Sequence, residues 1–142
     1  MNVKAILKEK GSEVVTVGPQ STVAEVASVL HERRIGAVVV VDDSRRIIGI
    51  IAERDIVGAI AEHGAACLGQ SIAEVMWSNV YRCTEEMTVD NLMELMSMRR
   101  ARHIPVERDG RLVGIISIGD VVKAHIRAIQ SEAEHIKAYI AG

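Results

Sequence analysis

The sequence contains an internal duplication, and this feature constrains the fold more than any other. Residues 22–55 run from Thr-Val through a pair of arginines and an aliphatic run to Gly-Ile-Ile-Ala-Glu-Arg-Asp, and residues 88–120 repeat this order and end in Gly-Ile-Ile-Ser-Ile-Gly-Asp. Two copies of one pattern indicate two similar structural units, each too small to bury its apolar surface alone. We therefore expect the two repeats to pack on each other, and the seam between them is the natural place for a ligand.

The composition indicates an aliphatic core. Apolar residues make up 49% of the 142 residues, but the chain has no Phe, one Trp and two Tyr. This length fits one compact domain or two closely packed halves. Cys67 and Cys83 do not form a Cys-x-x-Cys pair, and a core of this size needs no disulfide, so we expect reduced thiols.

The charge and hydropathy patterns exclude several classes of function. The net charge is −2, whereas proteins that bind nucleic acids or anionic membranes usually carry a basic excess. The longest apolar runs are far shorter than the roughly 20 residues of a membrane span. The N-terminus is short and amphipathic, without the apolar core of a signal peptide. These patterns predict a cytoplasmic protein that binds neither nucleic acid nor membranes.

Hydrophobic periodicity predicts the same order of elements, β-α-β-β-α, in both repeats. Short β-branched stretches at residues 14–17 and 80–83 predict the opening strands. The residue at the candidate N-cap is Ser21 or Thr22 in repeat 1 and Met87 or Thr88 in repeat 2. Apolar residues three and four apart predict one buried face on each helix. The buried positions expected from this spacing are Val23, Val26, Ala27 and Leu30 in repeat 1 and Val89, Leu92, Met93 and Met96 in repeat 2. A β-hairpin and a second helix follow, the latter from about Glu53 to His63 and from about Ile118 onward.

The two hairpins differ in their first strands. Residues 37–41 are apolar at every position, which is typical of a strand covered on both faces. The second hairpin contains Pro105, which cannot donate to a central ladder, so we expect its first strand at an edge or beside a bulge. Asp109-Gly110 predicts a tight turn in the same hairpin.

The C-terminal stretch predicts a long helix with one apolar stripe, formed by Ile126, Ile129, Ala133, Ile136 and Ile140. The stripe could cover its own module. It lies beyond the repeated unit, which already has its own helices, so we favour packing against another subunit.

An aspartate stands at the start of the last helix in both repeats. In repeat 2, Ser117 and Asp120 match a capping box, in which they would only satisfy backbone amides. In repeat 1, Ala52 removes the hydroxyl cap, yet Asp55 is retained. An acid at this place can hold both hydroxyls of a ribose, and free helix amides and the positive dipole end suit a phosphate. Helix capping and ligand binding both stay open on the residues alone.

Two copies of helix, β-hairpin, Gly-Ile-Ile-(Ser/Ala)-x-x-Asp and helix resemble a tandem cystathionine-β-synthase (CBS) domain pair, or Bateman module, over roughly residues 10–125. The resemblance implies an α/β (α+β) fold of two β-α-β-β-α repeats with pseudo-twofold symmetry and a C-terminal helix extension. It divides the chain into repeat 1 with the N-terminal helix (residues 1–65), repeat 2 (66–125) and a helical extension (126–142). It also implies clefts that bind AMP, ADP, ATP, NAD or, less readily, S-adenosylmethionine, and homodimers formed by disc-like pairing of modules.

Carried onto this sequence, the resemblance implies a main cleft that fills first. Asp120 would hold the ribose hydroxyls, Ser117 would face the ribose or phosphate, and Ile115 would contact adenine. Arg102 and His103 precede a strand where the family often places phosphate-facing basic residues. The full set is Asp120, Ser117, Ile115, His103, Arg102, Ile35, Val15 and, where the family often has a threonine, Ser12 and Lys10.

A second, weaker cleft is implied around Asp55. Its residues would be Asp55, Arg54, Ile50, Ala101 and Tyr81. Three departures weaken it: Ala52 lacks the serine hydroxyl, Ala37 stands where the main cleft has His103, and Trp77 replaces a usual threonine. Loss of one hydrogen bond to a charged group costs roughly 1.5–3 kcal/mol, or about tenfold or more in affinity.

The motifs of catalysis are missing from the sequence. It has no Gly-x-Gly-x-x-Gly segment, no P-loop and no zinc-ligand spacing, so we expect no enzyme activity, cofactor or metal. We therefore predict a regulatory module that binds an adenine nucleotide and signals energy or redox state to an effector protein. The alternative is a ligand-free structural module for dimerisation or protein interaction.

Overall fold

The computed structural model describes residues 1–141. Its elements in chain order are α1 (Val3–Lys10), β1 (Thr16–Val17), α2 (Val23–Arg33), β2 (Ala37–Val41), β3 (Ile47–Ala52), α3 (Glu53–His63), α4 (Val89–Arg99), β4 (His103–Arg108), β5 (Arg111–Ser117) and α5 (Ile118–Ala141). Two 3-10 helices, Gly64–Gly69 and Ile72–Glu74, connect α3 to the second half of the chain. The mixed α/β class predicted from the repeats is confirmed.

The elements form two compact units that interleave along the chain. Unit 1 comprises Met1–Ser12, Arg82–Val106 and the residues from Gly114 onward, and unit 2 comprises Glu13–Tyr81 and Glu107–Val113. The N-terminal helix α1 therefore belongs to the same unit as α4 and α5. Among the described residues, no helix is long and apolar enough to cross a membrane.

The core of unit 2 is built on a three-stranded sheet. β2 lies between β1, which is parallel to it, and β3, which is antiparallel. Ala37, Val38, Val39 and Val40 are all buried, because the strand is covered on both faces as its unbroken apolar run predicts. The hydrophobic cluster of this unit is made of Val23, Val26, Leu30, Val38, Val40, Ile51, Ile56, Ala59, Cys67 and Ile72.

The helices that follow the opening strands begin at hydroxyl caps. Thr22 Oγ1 accepts a hydrogen bond from the Glu25 amide at 3.1 Å, and the Glu25 carboxylate accepts one from the Thr22 amide, which completes a capping box. Thr88 Oγ1 caps α4 through the Asn91 amide at 3.1 Å. Such a cap stabilises a helix by about 1 kcal/mol. The predicted helix starts are confirmed in both repeats.

The opening strands are shorter than predicted. Only Thr16–Val17 of the stretch 14–17 forms a strand. The strand expected at 80–83 is wrong, since only Cys83 forms an isolated parallel bridge, to Val106. The Cys83 amide donates to the Pro105 carbonyl at 3.0 Å, but Pro105 has no amide hydrogen to extend the ladder by another rung. β4 therefore pairs as a strand with β5 alone.

The turn of the second hairpin has the conformation that its residues predict. Asp109 and Gly110 have φ of 52° and 76°, and positive φ at two successive positions is favoured by Asp-Gly. The first hairpin uses a longer turn, in which Asp42 Oδ1 accepts hydrogen bonds from the amides of Ser44 and Arg46, both at 2.9 Å.

Close packing in unit 1 fixes the position of α1. The Val3 amide donates to the Met87 carbonyl and the Lys4 amide to the Glu85 carbonyl, each at 2.9 Å. The side chain of Leu7 lies directly over Gly114, where an added Cβ would stand 2.6 Å from Leu7 Cδ2. These contacts bring the C-terminal end of α1 to the junction of β5 and α5.

Candidate functional site

The carboxylate of Asp120 lies at the junction of β5 and α5. Its Oδ2 accepts hydrogen bonds from the Ser117 amide at 2.8 Å and from the Ser117 hydroxyl at 2.9 Å. The Asp120 amide in turn donates to Ser117 Oγ at 3.3 Å. This is the reciprocal arrangement of a capping box, so the capping interpretation of Ser-x-x-Asp is confirmed in repeat 2.

The ammonium group of Lys10, the last residue of α1, also contacts the Asp120 carboxylate. Lys10 Nζ lies 2.7 Å from Asp120 Oδ2 and donates a second hydrogen bond to the Ile115 carbonyl at 2.9 Å. The two charged side chains are 30% and 20% exposed, so the pair is accessible to solvent from one side. Sequence patterns do not predict this ion pair, although the family resemblance placed both residues in the main cleft.

The electrostatics of Asp120 reflect these contacts. Burial alone would raise its pKa, but the hydrogen bond from Lys10, the two from Ser117 and the charge of Lys10 together lower the pKa below the ordinary 3.8. The carboxylate is therefore ionised near neutral pH. All of its described hydrogen bonds end on Oδ2, so among the described residues Oδ1 has no partner and can accept a donor from outside the chain.

The helix amides at this site are mostly in use. The Ile118 amide donates to the Arg102 carbonyl at 2.8 Å, and the Asp120 amide is bonded to Ser117. The expectation that free amides at this helix start would hold a phosphate is therefore wrong for these two positions.

The first repeat contains the same junction without the serine and the lysine. Asp55 Oδ2 accepts a hydrogen bond from the Ala52 amide at 2.8 Å, and the Glu53 amide donates to the Gly36 carbonyl at 3.1 Å, as Ile118 donates to Arg102. Loss of the hydroxyl thus does not prevent Asp55 from capping, contrary to the argument from Ala52. Among the described residues, no cation lies within ion-pair distance of Asp55.

The remaining residues of the predicted main cleft fall in both units. Unit 1 holds Arg102 and Ser12, which are exposed, together with Ile115 and His103, which are half-buried. The structure brings Lys10, Ile115, Ser117 and Asp120 into direct contact. Val15 and Ile35 are half-buried and belong to unit 2.

The residues of the predicted weaker cleft also belong to both units. Asp55, Arg54, Ile50 and Tyr81 lie in unit 2, whereas Ala101 lies in unit 1. Ile50 forms a backbone bridge with Trp77, with both hydrogen bonds at 2.9 Å. Trp77 is 55% exposed, and its indole N–H donates to the Asn79 carbonyl. The indole is a flat apolar surface beside Ile50, which the departure of Trp77 from the usual threonine does not by itself predict.

The described part of the chain shows no metal-ligand cluster and no exposed thiol. It contains no group of three His, Cys, Asp or Glu side chains that could hold a metal ion. Cys67 and Cys83 are both buried, and burial raises the pKa of the Cys83 thiol to about 12. A shallow depression lined by Leu30, His31, Glu32, Arg34 and Glu53 contains none of the predicted site residues.

Comparison with known proteins agrees with the fold and the repeats. The family model described as CBS domain matches residues 3–62 and 72–127, and the chain belongs to this family. A crystal structure of a CBS-domain containing protein from Agrobacterium tumefaciens is 54% identical, with a TM-score of 0.85 over 88% of this chain and 99% of that chain. The mitochondrial CBS domain-containing protein CBSX3 of Arabidopsis thaliana is 30% identical over 148 residues, 99% of this chain and 72% of that protein.

The solved relatives include complexes with ligands. A CBS domain pair crystallised with 5′-methylthioadenosine and S-adenosyl-L-methionine is 28% identical, with a TM-score of 0.79 over 88% of this chain and 95% of that chain. The predicted family and fold class are thus confirmed.

Proposed function

We propose that this chain is a non-catalytic regulatory module that binds an adenosine-containing ligand at the start of α5. The observation that carries the proposal is the ionised Asp120 carboxylate, which is half-buried between Lys10 and Ser117 with one oxygen unused. The solved relative that holds two adenosine compounds supports the choice of ligand class.

Capping and ribose binding use different oxygens of the same side chain. Oδ2 stays on the Ser117 amide, so the carboxylate is held in a fixed orientation before the ligand arrives. Oδ1 accepts one ribose hydroxyl. The second ribose hydroxyl takes the place of Lys10 on Oδ2, because three donors already share this atom.

Lys10 exchanges its partner when a phosphorylated ligand binds. Its ammonium moves from Asp120 to the phosphate, while the ribose hydroxyls donate to Asp120, so neither charged group is left without a hydrogen-bond partner. Arg102 and His103 add basic groups on the same unit, and Ile115 offers an apolar contact for the base. A charge-assisted hydrogen bond of this kind contributes about 1.5–3 kcal/mol.

The site around Asp55 is the weaker one in this proposal. It keeps the capped carboxylate but has neither a serine hydroxyl nor a lysine on it. A ligand with a phosphate therefore loses two interactions there, and we expect the Asp120 site to fill first.

The output of binding is regulatory. A ligand shifts a conformational equilibrium only by its differential affinity for the two forms, and release of Lys10 loosens the end of α1 from β5 and α5. An effector protein that recognises α1 or α5 would respond to this change and so to cellular energy or redox state.

A thermal-shift screen tests ligand binding directly. AMP, ADP, ATP, NAD, S-adenosylmethionine and 5′-methylthioadenosine are each added well above micromolar concentration, since saturation at 100 times the dissociation constant stabilises by about 2.7 kcal/mol. At least one of these compounds should raise the melting temperature of the wild type and leave that of Asp120→Asn unchanged. The matched control is Asp90→Asn, an exposed aspartate in the first turn of α4, which should respond like the wild type.

The role of Lys10 is tested by comparing AMP with adenosine. Lys10→Met should weaken the binding of AMP by about tenfold, because the phosphate loses the cation that contacts it. Adenosine should bind Lys10→Met at least as tightly as the wild type, because the ribose no longer competes with the lysine for Asp120. Equal weakening of both ligands would contradict the partner exchange.

A ligand-free structural module is the second candidate function. It is favoured by the capping hydrogen bonds of both aspartates and by the ion pair that already neutralises Asp120. In that case none of the six compounds raises the melting temperature, and Asp120→Asn changes only stability.

A further inference from the structure

Trp77 is the single tryptophan of the chain, and the structure leaves it exposed. Its backbone forms a bridge with Ile50 of β3 through hydrogen bonds in both directions. Its indole N–H donates to the Asn79 carbonyl at 2.9 Å, which holds the ring and satisfies its polar group. An exposed aromatic ring whose polar group is satisfied remains available for stacking on another flat group.

The ring stands on the open face of β3. Alternate residues of this strand are half-buried and form that face, namely Ile48, Ile50 and Ala52. On the other face, an added Cβ at Gly49 would collide with the side chain of Met76, so Met76 lies against the buried side of the strand. Successive residues of an extended chain point to opposite faces. Trp77 is therefore directed to the open face, beside Ile50.

The Asp55 carboxylate is fixed at the end of the same strand. Its Oδ2 accepts a hydrogen bond from the Ala52 amide at 2.8 Å. Ala52 is two residues from Ile50, which is roughly 7 Å along a strand. All of these residues and Trp77 belong to unit 2. The separation between the Ile50–Trp77 pair and the carboxylate matches that between the base and the ribose hydroxyls of one nucleoside.

The charge at this junction is negative. Glu53, Arg54 and Asp55 contribute two carboxylates and one guanidinium, and among the described residues no ion pair neutralises Asp55. At the other junction, Lys10 neutralises Asp120. A phosphate brought to the start of α3 is therefore repelled, whereas a positive charge is attracted.

We propose that Trp77 and the negative charge at the start of α3 make the Asp55 site selective for adenosine compounds that carry no phosphate, with preference for a cationic group such as a sulfonium on the ribose. The inference rests on the proposed function, because it requires that a capped aspartate binds the ribose hydroxyls. Adenine stacks on the indole and contacts Ile50. The carboxylates of Glu53 and Asp55 attract the cationic group.

The two junctions then bind different classes of adenosine compound. Lys10 favours a phosphorylated ligand at Asp120, and its absence from Asp55 favours a ligand without phosphate. A threonine in place of Trp77 would offer a hydroxyl but no stacking surface. Trp77 therefore changes the class of ligand that the Asp55 site accepts, and one chain responds to two kinds of compound.

The fluorescence of Trp77 tests this selectivity directly, because the chain has no other tryptophan. The titrations use Asp120→Asn, so that occupancy of the other site does not contribute. 5′-Methylthioadenosine should change the emission at a concentration about tenfold or more below that needed for AMP. S-adenosylmethionine should bind about threefold or more tightly than S-adenosylhomocysteine, which lacks the positive charge on sulfur.

Substitutions in the same background assign these effects to residues. Adding Asp55→Asn should weaken 5′-methylthioadenosine by about tenfold. Trp77→Thr, followed by calorimetry, should weaken it by about tenfold because stacking is lost, and Trp77→Phe should restore most of the affinity. The matched control is Asp43→Asn, an exposed aspartate in the first hairpin turn of unit 2, which should titrate like the background.

The outcomes separate this inference from the proposed function. AMP that binds as tightly as 5′-methylthioadenosine, or affinity that survives Trp77→Thr, overturns the selectivity. Stabilisation of the wild type through Asp120 without any change in Trp77 emission also overturns it, and leaves the proposed function intact. If no adenosine compound changes either the emission or the melting temperature, the proposed function itself is rejected, and this inference with it.

Discussion

Replacement of Lys10 by methionine should destabilise the protein by about 1 kcal/mol. Lys10 Nζ makes two hydrogen bonds, to Asp120 Oδ2 at 2.7 Å and to the Ile115 carbonyl at 2.9 Å. Hydrogen bonds to charged groups contribute roughly 1.5–3 kcal/mol when shielded, but exposed ion pairs contribute about 1 kcal/mol or less. With side chains 30% and 20% exposed, this pair falls toward the lower range. Methionine keeps the apolar stem, so the change reports the ammonium group.

Chemical and thermal denaturation measure this loss. For a chain of this size, a loss of 1 kcal/mol lowers the melting temperature by roughly 2–4 °C. The matched control is Lys8→Met on the exposed side of the same helix, which should change stability by less than about 0.5 kcal/mol. A double-mutant cycle with Asp120→Asn should give a coupling of at least about 0.5 kcal/mol. Additive effects of the two substitutions would refute the reasoning, since the two side chains would then act independently.

Three further predictions concern the same unit. The pKa of Asp120 is lowered from 3.8 in the folded state, so the stability that its carboxylate contributes is complete above that pH and is lost as pH falls through the folded-state pKa. The difference in unfolding free energy between wild type and Asp120→Asn should therefore shrink below pH 3.8. A difference that grows there would contradict the assignment. Gly114→Ala should cost about 1–3 kcal/mol by urea unfolding, because its Cβ would collide with Leu7, whereas Gly58→Ala in α3 meets nothing within 4 Å and should not destabilise. The Cys83 thiol, with a pKa of about 12, should react with a disulfide reagent only on unfolding, and rapid reaction in native buffer would count against its burial.

Features determined by neighbouring residues could be predicted from the sequence. The helix from Glu53 to His63, the caps at Thr22 and Thr88 and the Asp-Gly turn all depend on residues within a few positions, and the structure confirms each of them. The strand at residues 37–41 could be predicted because an unbroken apolar run has few other places in a small α/β protein.

Contacts between residues that are distant in the chain could not be predicted from these local patterns. Lys10 and Asp120 are 110 positions apart; the family resemblance placed both in one cleft, but neither periodicity nor propensity predicts the ion pair between them. The division of the chain into residues 1–65, 66–125 and 126–142 stays a prediction. In the structure Leu7 packs on Gly114, and α1 belongs to the unit that contains α4 and α5. The strand expected at 80–83 does not form for a similar reason. β propensity is a local property, whereas extension of the ladder needs an amide hydrogen that the distant Pro105 lacks.

The two interpretations of the repeated aspartate are compatible in this structure. Asp55 and Asp120 each accept a main-chain hydrogen bond from the residue three positions earlier, so both cap their helices. Capping uses one oxygen and fixes the orientation of the other. A side chain that stabilises the helix start can therefore also present a preorganised acceptor to a sugar.

Titration calorimetry with a ligand and its deoxy analogue tests this claim most directly. The pair is AMP and its 2′,3′-dideoxy form, measured on the wild type and on Asp120→Asn. We predict that the wild type prefers AMP by about tenfold or more, since the diol bonds a charged carboxylate, and that Asp120→Asn largely loses this preference. An equal preference in both proteins would show that the sugar hydroxyls do not bind Asp120 and would contradict the account.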